Sequence, residues 1–220
     1  MNPLQTIELN PGSAPRATVI VLHGLGADGT DFLPMADELR LGAVGPVRFV
    51  FPRAPVRPVT INGGHAMRAW YDILTADLVR REDETGVRES IAQVHALLDA
   101  EVARGVPAQR IVLAGFSQGC AITLGAGVRY GQQLAGLAGL SGYLPLADTT
   151  AAEHAGQTGL PVFLGHGRND GIVPLARGSA ARDSLQALGH TVAWHDYPME
   201  HSVCIEEVKA LNQWLLQVLG

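Results

Sequence analysis

Several features that would indicate other classes of protein are scarce in this chain. Its 220 residues include only two cysteines, which excludes a disulfide framework. Lys209 is the only lysine and no Gly-Lys pair occurs, which excludes a P-loop. No apolar run approaches the roughly 18 residues of a membrane span. We see no signal-peptide pattern, so we expect a cytoplasmic protein without stable membrane insertion.

Charged residues are also sparse, at 17% of the chain, and the formal net charge is −5. This balance argues against nucleic acid or an anionic membrane as the main partner. Hydrophobic residues make up 47% of the chain, which excludes intrinsic disorder. No linker rich in proline, glycine or serine divides the sequence. We therefore expect one domain over residues 1–220.

Short apolar runs alternate with helical patterns along the chain. The clearest helix is Gly86–Arg104, where apolar residues recur at steps of three and four after a candidate N-cap at Thr85. The alternation predicts an α/β fold with a mostly parallel central sheet and helices on both faces. The expected strands are Leu4–Leu9, Ala17–Leu22, Val47–Phe51, Arg110–Ala114, Leu134–Leu140, Pro161–Gly165 and Thr191–Tyr197. The other expected helices are Asp31–Leu41, Ser117–Tyr130, Leu175–Leu188 and Ser202–Leu219.

The first glycine motif follows the second expected strand. Gly24, Gly26 and Gly29 match the spacing of a dinucleotide-binding loop. That mechanism needs a carboxylate at the end of the next strand to bind a ribose, and this strand ends at Arg53 without one. A nucleotide-binding oxidoreductase is therefore the weaker hypothesis.

The second glycine motif is Gly115-Phe-Ser117-Gln-Gly119. It directly follows an apolar strand and precedes a segment that can form a helix. A nucleophile elbow needs this arrangement, because its serine lies on a tight strand-to-helix turn that the flanking glycines permit. Ser117 is therefore the candidate nucleophile of a hydrolase, acting through an acyl-enzyme.

A serine nucleophile needs a base and an orienting carboxylate, each placed after a later strand. Asp170 follows the strand that begins at Pro161, and His201 follows the last strand. Asp196 is the rival for the acid. The remaining candidates carry structural interpretations: His195 lies within a strand, His166 precedes the acid in its loop, and Cys120 and Cys204 are expected to be buried thiols.

An oxyanion hole requires two backbone N–H groups, one of them from the residue after the nucleophile. That residue is Gln118, and the loop after the second strand offers Leu25 as the other donor. No His-Glu-x-x-His or paired Cys-x-x-Cys motif supplies zinc ligands, so we expect neither a metal nor a cofactor.

Taken together, these segments resemble the small carboxylesterase and acyl-protein thioesterase family of α/β hydrolases. The similarity covers nearly the whole chain. The segments that carry it are Val21–Gly29, Phe51–Pro55, Pro58–Gly64, Met67–Ile73, Gly115–Gly119, Leu140–Pro145, His166–Asp170 and Met199–His201.

The resemblance implies an α/β-hydrolase fold, the triad Ser117, Asp170 and His201, and the Leu25 and Gln118 oxyanion hole. It also implies that residues Pro52–Ile73 form a loop over the site, with Trp70 near it. Only 20 residues separate Leu140 from Pro161, too few for a large inserted cap. Apolar walls for a substrate are then expected from Val56, Val59, Ile61, Met67 and Leu74.

The expected partner is a small acyl ester or thioester, and a homodimer is compatible with the resemblance. Oxygen esters, thioesters, lysophospholipids and acylated proteins are not distinguished by the residues. A binding protein on a catalytically silent hydrolase fold is the remaining alternative.

Overall fold

A seven-stranded sheet forms the centre of the computed structural model, which describes residues 3–75 and 82–220. The spatial order of its strands is β1-β3-β2-β6-β7-β8-β9. Strand β1 is antiparallel to its neighbour and the other six run parallel, while β4 and β5 form a separate antiparallel hairpin. In chain order the strands are β1 (Thr6–Leu9), β2 (Ala17–Leu22), β3 (Val47–Pro52), β4 (Val56–Val59), β5 (His65–Arg68), β6 (Ile111–Phe116), β7 (Gly136–Leu140), β8 (Pro161–Gly167) and β9 (Thr191–Tyr197).

Helices cover both faces of the sheet. They are α1 (Leu33–Glu38), α2 (Glu84–Ala103), α3 (Gln118–Gly127), α4 (Ala147–Glu153), α5 (Leu175–Ala187) and α6 (Ile205–Leu219), with short 3-10 segments at Gly29–Phe32, Thr60–Asn62 and Ala108–Arg110. Apolar side chains of α2, α3 and α5 share one core cluster with the sheet. Those of α1 and α6 share the cluster on the opposite face. Every residue of β2 and β7 is buried, as expected of strands covered on both sides.

The predicted architecture is confirmed: the central sheet is mostly parallel, helices cover both of its faces, and no large cap is inserted between β7 and β8. Only the seven-residue helix α4 lies between β7 and β8. All seven expected strands of the sheet are present, with shifts of a few residues at their ends. Within residues 3–75 and 82–220, no helix has the length and apolar character needed to cross a bilayer.

The structure differs from the sequence prediction in the hairpin, in α4 and in the ends of several helices. The segment expected as a loop over the site contains the hairpin of β4 and β5, and helix α4 was not anticipated. Helix α2 begins at Glu84, two residues before the predicted start. Its N-cap is Asp83 instead of Thr85, because the Asp83 carboxylate accepts a hydrogen bond from the Gly86 N–H at 3.0 Å.

The topology brings the candidate residues to one edge of the sheet. The carboxyl ends of parallel strands lie side by side, so the loops after β2, β6, β8 and β9 are neighbours. These loops carry Leu25, Ser117, Asp170 and His201. Residues that are far apart in the chain therefore meet above the middle of the sheet.

Helix α6 carries a buried acidic group close to this edge. Glu207 is fully buried, and its carboxyl group occupies the space that a side chain at Gly165 of β8 would fill. Burial raises the pKa of Glu207 to about 8, because the charged carboxylate would lose its hydration there. The folded protein therefore keeps this carboxyl group protonated at neutral pH.

We predict that Glu207→Gln stabilises the protein at pH 8 and changes little at pH 5. Between the ordinary value of 4.5 and about 8, the unfolded chain releases a proton that the folded chain keeps. The stability of the wild-type protein therefore falls as pH rises through this interval, and the neutral amide removes a penalty of a few kcal/mol.

Urea denaturation at both pH values measures the effect. Glu206→Gln is the matched control because Glu206 is the exposed neighbour on the same turn. Equal pH dependence in the Glu207→Gln variant and the wild-type protein would contradict the prediction.

Candidate active site

Ser117 occupies a strained turn between β6 and α3. Its backbone lies at φ 56° and ψ −118°, a region that non-glycine residues rarely adopt. The Ser117 N–H donates to the carbonyl of Leu140 at 2.9 Å, which ties the turn to β7. The surrounding hydrogen bonds and packing therefore hold the serine at the edge of the sheet in a conformation of high energy.

The two glycines of the motif are required by close backbone approaches. A Cβ atom on Gly119 would lie 2.2 Å from the carbonyl oxygen of Leu22 in β2. A Cβ atom on Gly115 would lie 2.4 Å from the carbonyl oxygen of Gly119. Any larger residue would push α3 away from the sheet and move Ser117 with it.

Ser117, His201 and Asp170 form a continuous chain of hydrogen bonds. The Ser117 hydroxyl donates to Nε2 of His201 at 2.8 Å. Since a carboxylate only accepts, Nδ1–H of His201 donates to Oδ2 of Asp170 at 2.7 Å. This is the arrangement by which an imidazole removes a proton from a serine hydroxyl.

Backbone and side-chain contacts hold Asp170 in place. Its side chain is shut off from solvent, and Oδ1 accepts from the N–H groups of Ile172 at 2.9 Å and Val173 at 2.8 Å. His166 lies beside it, with Nε2 3.6 Å from Oδ2 of Asp170. That nitrogen donates to the carbonyl of Val173 at 2.8 Å, so His166 braces the loop of the acid.

The rival residues lie elsewhere. Asp196 pairs with the guanidinium of Arg168. His195 stacks on Phe163, with ring centroids 4.9 Å apart, inside the packing around β9. Neither residue contacts His201 through a hydrogen bond in the described part of the chain.

His23 shapes the loop after β2. Its Nδ1–H donates to the carbonyl of Gly24 at 2.7 Å, and its Nε2 accepts from the N–H of Ala54 at 3.0 Å. This pattern requires a neutral imidazole. Burial lowers the pKa of His23, which keeps the ring neutral. Nε1–H of Trp70 donates to the His23 carbonyl at 2.9 Å and fixes the loop from below.

The loop after β2 brings Leu25 to the nucleophile. A Cβ atom placed on Gly24 would lie 3.4 Å from Cβ of Ser117. The next residue, Leu25, lines a cavity above the serine. Within residues 3–75 and 82–220, the backbone N–H groups of Leu25 and Gln118 donate no hydrogen bond. Two such groups beside a serine nucleophile are suited to bind a developing oxyanion.

Comparisons with known proteins agree with this geometry. Residues 5–219 match the phospholipase/carboxylesterase family. The chain belongs to this family. It is 38% identical to acyl-protein thioesterase 1 of Yarrowia lipolytica over 98% of this chain and 97% of that protein. Carboxylesterase SOBER1 of Arabidopsis thaliana is 34% identical over 91% of this chain and 90% of its own length.

Solved structures of relatives have the same fold. The crystal structure of SOBER1 from Arabidopsis thaliana aligns with a TM-score of 0.88 over 93% of this chain and all of that chain. The structure of acyl-protein thioesterase 2 from Zea mays aligns with a TM-score of 0.87 at 30% identity, over 98% of this chain and 99% of that chain. The protein is thus an esterase-type serine hydrolase.

A cavity of about 570 Å³ opens above Ser117 in this hydrolase. Ile61, one of the expected apolar residues, lines it. The wall also includes residues that the sequence analysis did not single out, because no motif indicates which side chains turn toward the site: Phe32, Tyr71, Ile73, Phe116, Tyr143, Ile172 and Val173.

Five residues expected at the substrate lie outside the cavity wall, among them Val56, which is exposed, and Val59, which is fully buried. Trp70 is fully buried beneath the loop after β2, where it packs against His23 with ring centroids 5.4 Å apart. Met67 lies in the hairpin, in contact with Asn62, and Leu74 does not line the cavity, although its neighbour Ile73 does. Trp70 therefore supports the site from behind instead of contacting a substrate.

The side chain of Gln118 has a structural role beyond its backbone N–H. Its Oε1 accepts from the Trp70 N–H at 2.8 Å, and its Nε2 donates to the Tyr71 carbonyl at 2.8 Å. The residue after the nucleophile thus holds the chain segment that forms one wall of the cavity. Motif position identifies the backbone of Gln118 but does not reveal this side-chain contact.

The two cysteines contribute neither a nucleophile nor a metal site. Cys120 is buried, and burial raises the pKa of its thiol, so it stays protonated and unreactive. Cys204 is only half-buried, at the N-cap of α6, so the expectation of a buried thiol is wrong for this residue. Over the described ranges, no three side chains of His, Cys, Asp or Glu are grouped closely enough to hold a metal ion.

We predict that Gly119→Ala destabilises the protein by at least about 2 kcal/mol and lowers activity, because the new methyl group collides with the backbone of β2. Gly131→Ala is the matched control, since a Cβ atom there meets nothing within 4 Å. Thermal and urea denaturation of both variants measure the difference. A Gly119→Ala protein as stable as the control would show that the elbow tolerates a side chain.

Proposed function

We propose that the protein hydrolyses carboxylic esters and thioesters through an acyl-enzyme on Ser117. The observation that carries this proposal is the hydrogen-bonded chain Ser117–His201–Asp170, next to two unpaired backbone N–H groups in a largely apolar cavity. The family match over residues 5–219 supports it and also supports a single hydrolase domain.

In acylation, Oγ of Ser117 attacks the carbonyl carbon while Nε2 of His201 takes the hydroxyl proton. The carbonyl oxygen becomes an oxyanion, for which the N–H groups of Leu25 and Gln118 are the proposed donors. Collapse of this intermediate breaks the bond to the leaving group, and His201 returns the proton to the departing alcohol or thiol.

In deacylation, water replaces the leaving group as the nucleophile. His201 takes a proton from water as the water oxygen attacks the acyl carbon. The intermediate then collapses, the bond from the acyl carbon to Oγ of Ser117 breaks, and His201 returns the proton to Oγ as the acid leaves. Asp170 accepts from Nδ1–H throughout, which fixes the tautomer and stabilises the imidazolium. Two backbone N–H groups support this role, because their hydrogen bonds hold the Asp170 carboxylate in a position closed to solvent.

A second candidate function is the removal of acyl groups from proteins. Relatives named acyl-protein thioesterase 1 favour it, as does the absence of an inserted cap, which leaves access for a bulky leaving group. Ile172, which lines the cavity, is 64% exposed and is available to contact such a substrate. Hydrolysis of an S-acylated peptide, compared with the matching small thioester, distinguishes this function from a preference for small esters.

We predict that Ser117→Ala and His201→Ala each lower kcat by at least ~10³, because the members of a triad act as a unit. A fluorophosphonate probe should label Ser117 and no other serine. Mass spectrometry of the labelled protein and steady-state assays measure these outcomes. A wild-type protein that folds but is not labelled would refute the mechanism.

We predict that Asp170→Asn is nearly as harmful, since an amide favours the wrong tautomer of His201. Asp196→Asn is the matched control, because this carboxylate pairs with Arg168 instead. Ester hydrolysis by both variants tests the assignment. An active Asp170→Asn protein together with an inactive Asp196→Asn protein would reverse it.

We predict that kcat/KM for soluble esters rises from acetyl to about butyryl–octanoyl and then levels off. Each methylene group buried on the apolar wall stabilises the bound transition state by up to about 0.8 kcal/mol, which corresponds to nearly a fourfold increase in kcat/KM. A graded series of esters, measured below and above substrate solubility, tests this. A rise that continues through C16, or strong activation by an emulsion, would contradict a site without a cap.

A further inference from the structure

Two tyrosine side chains that line the cavity above Ser117 are joined through their hydroxyl groups. The hydroxyl oxygens of Tyr71 and Tyr143 are 2.7 Å apart, and both residues line the cavity. Tyr71 is 2% exposed and Tyr143 is 4% exposed. We call these two residues the tyrosine pair. The mechanism proposed above uses neither hydroxyl group.

Each hydroxyl group of the tyrosine pair has one proton, and the hydrogen bond between the two oxygens needs only one of them. Burial raises the pKa of Tyr143 to about 12, and burial beside Tyr143 raises the pKa of Tyr71 well above its usual range. Both groups are therefore neutral, so the pair holds two protons. One proton lies between the two oxygens. The other forms no hydrogen bond to an acceptor within residues 3–75 and 82–220.

Neighbouring groups hold the pair in a fixed position. The carbonyl of Tyr71 accepts from Nε2 of Gln118 at 2.8 Å. The guanidinium carbon of Arg177 lies 4.7 Å from the centroid of the Tyr143 ring. The same cavity wall includes the apolar side chains of Ile73 and Phe116. The second O–H thus belongs to a fixed pair of side chains on a largely apolar wall.

We propose that the tyrosine pair is a polar subsite that donates a hydrogen bond to an oxygen atom in the substrate chain, away from the scissile carbonyl. This inference rests on the proposed function, because it assumes that substrate occupies the cavity above Ser117. A methylene group at this point leaves the O–H unpaired, whereas an ether, keto or second ester oxygen pairs it. The favoured substrates are therefore esters whose acyl or alcohol chain carries such an oxygen.

The test compares chains that differ by one atom. An ether oxygen replaces a methylene group at successive positions beyond the third carbon, in an acyl series and separately in an alcohol series. The measured quantity is the ratio of kcat/KM for the ether to kcat/KM for the methylene compound. Dividing the ratio of the wild-type protein by that of a variant cancels the intrinsic reactivity of the compounds.

We predict that the wild-type ratio exceeds that of the double variant Tyr71→Phe/Tyr143→Phe by about three- to tenfold, at one chain position and in one series. Each single variant keeps one hydroxyl group that is free to donate, so both should retain the preference. Tyr130→Phe is the matched control, since the hydroxyl of Tyr130 donates to Asp99 outside the cavity. It should show the wild-type ratio.

Equal ratios in the wild-type protein and the double variant, at every position of both series, would overturn the subsite. If the double variant does not fold, the wild-type scan decides alone, because a fixed donor requires a preference confined to one chain position. A uniform ratio would refute the inference. Failure of the proposed function is a separate outcome, seen as an unlabelled Ser117 or an active Ser117→Ala variant with the plain methylene esters.

Discussion

The close contact between the first turn of α3 and the end of β2 is the constraint on which the site depends. Gly119 lies so near the backbone of Leu22 that only a hydrogen atom fits between them. This contact sets the helix directly against the sheet and forces Ser117 into its strained backbone conformation. It also brings the loop after β2 within reach of the serine. The nucleophile and the proposed oxyanion donors are thus products of one packing arrangement.

A second set of contacts joins the loops around this turn. Gln118 binds the backbone of Trp70 and Tyr71, and Trp70 binds the carbonyl of His23. The elbow, the loop after β2 and one wall of the cavity are therefore connected through buried hydrogen bonds. Such bonds are costly to leave unpaired, so a shift in one loop is resisted by the other two.

The sequence predicted the sheet and the reactive residues better than it predicted the substrate wall. Strands such as β2 and β6 are continuous apolar runs, and the order of Ser117, Asp170 and His201 follows from the parallel topology. The hairpin of β4 and β5 was missed because its strands are four residues long and include a proline. The location of Trp70 could not be predicted either, since an aromatic residue near a motif indicates proximity but not which way the ring turns.

Several buried groups close to the site are neutral, and this matters for its electrostatics. Glu207, Tyr71 and Cys120 are buried groups whose protonated forms are favoured by the cost of placing a charge away from water. The Asp170 carboxylate differs because backbone N–H groups replace its hydration. Glu207, Tyr71 and Cys120 therefore add no buried charge that would compete with a charge developing at Ser117 or His201. In buried surroundings a hydrogen bond or a fixed dipole has a stronger effect than in solvent, so the proposed mechanism relies on the orientation of Asp170 and of the two proposed oxyanion donors.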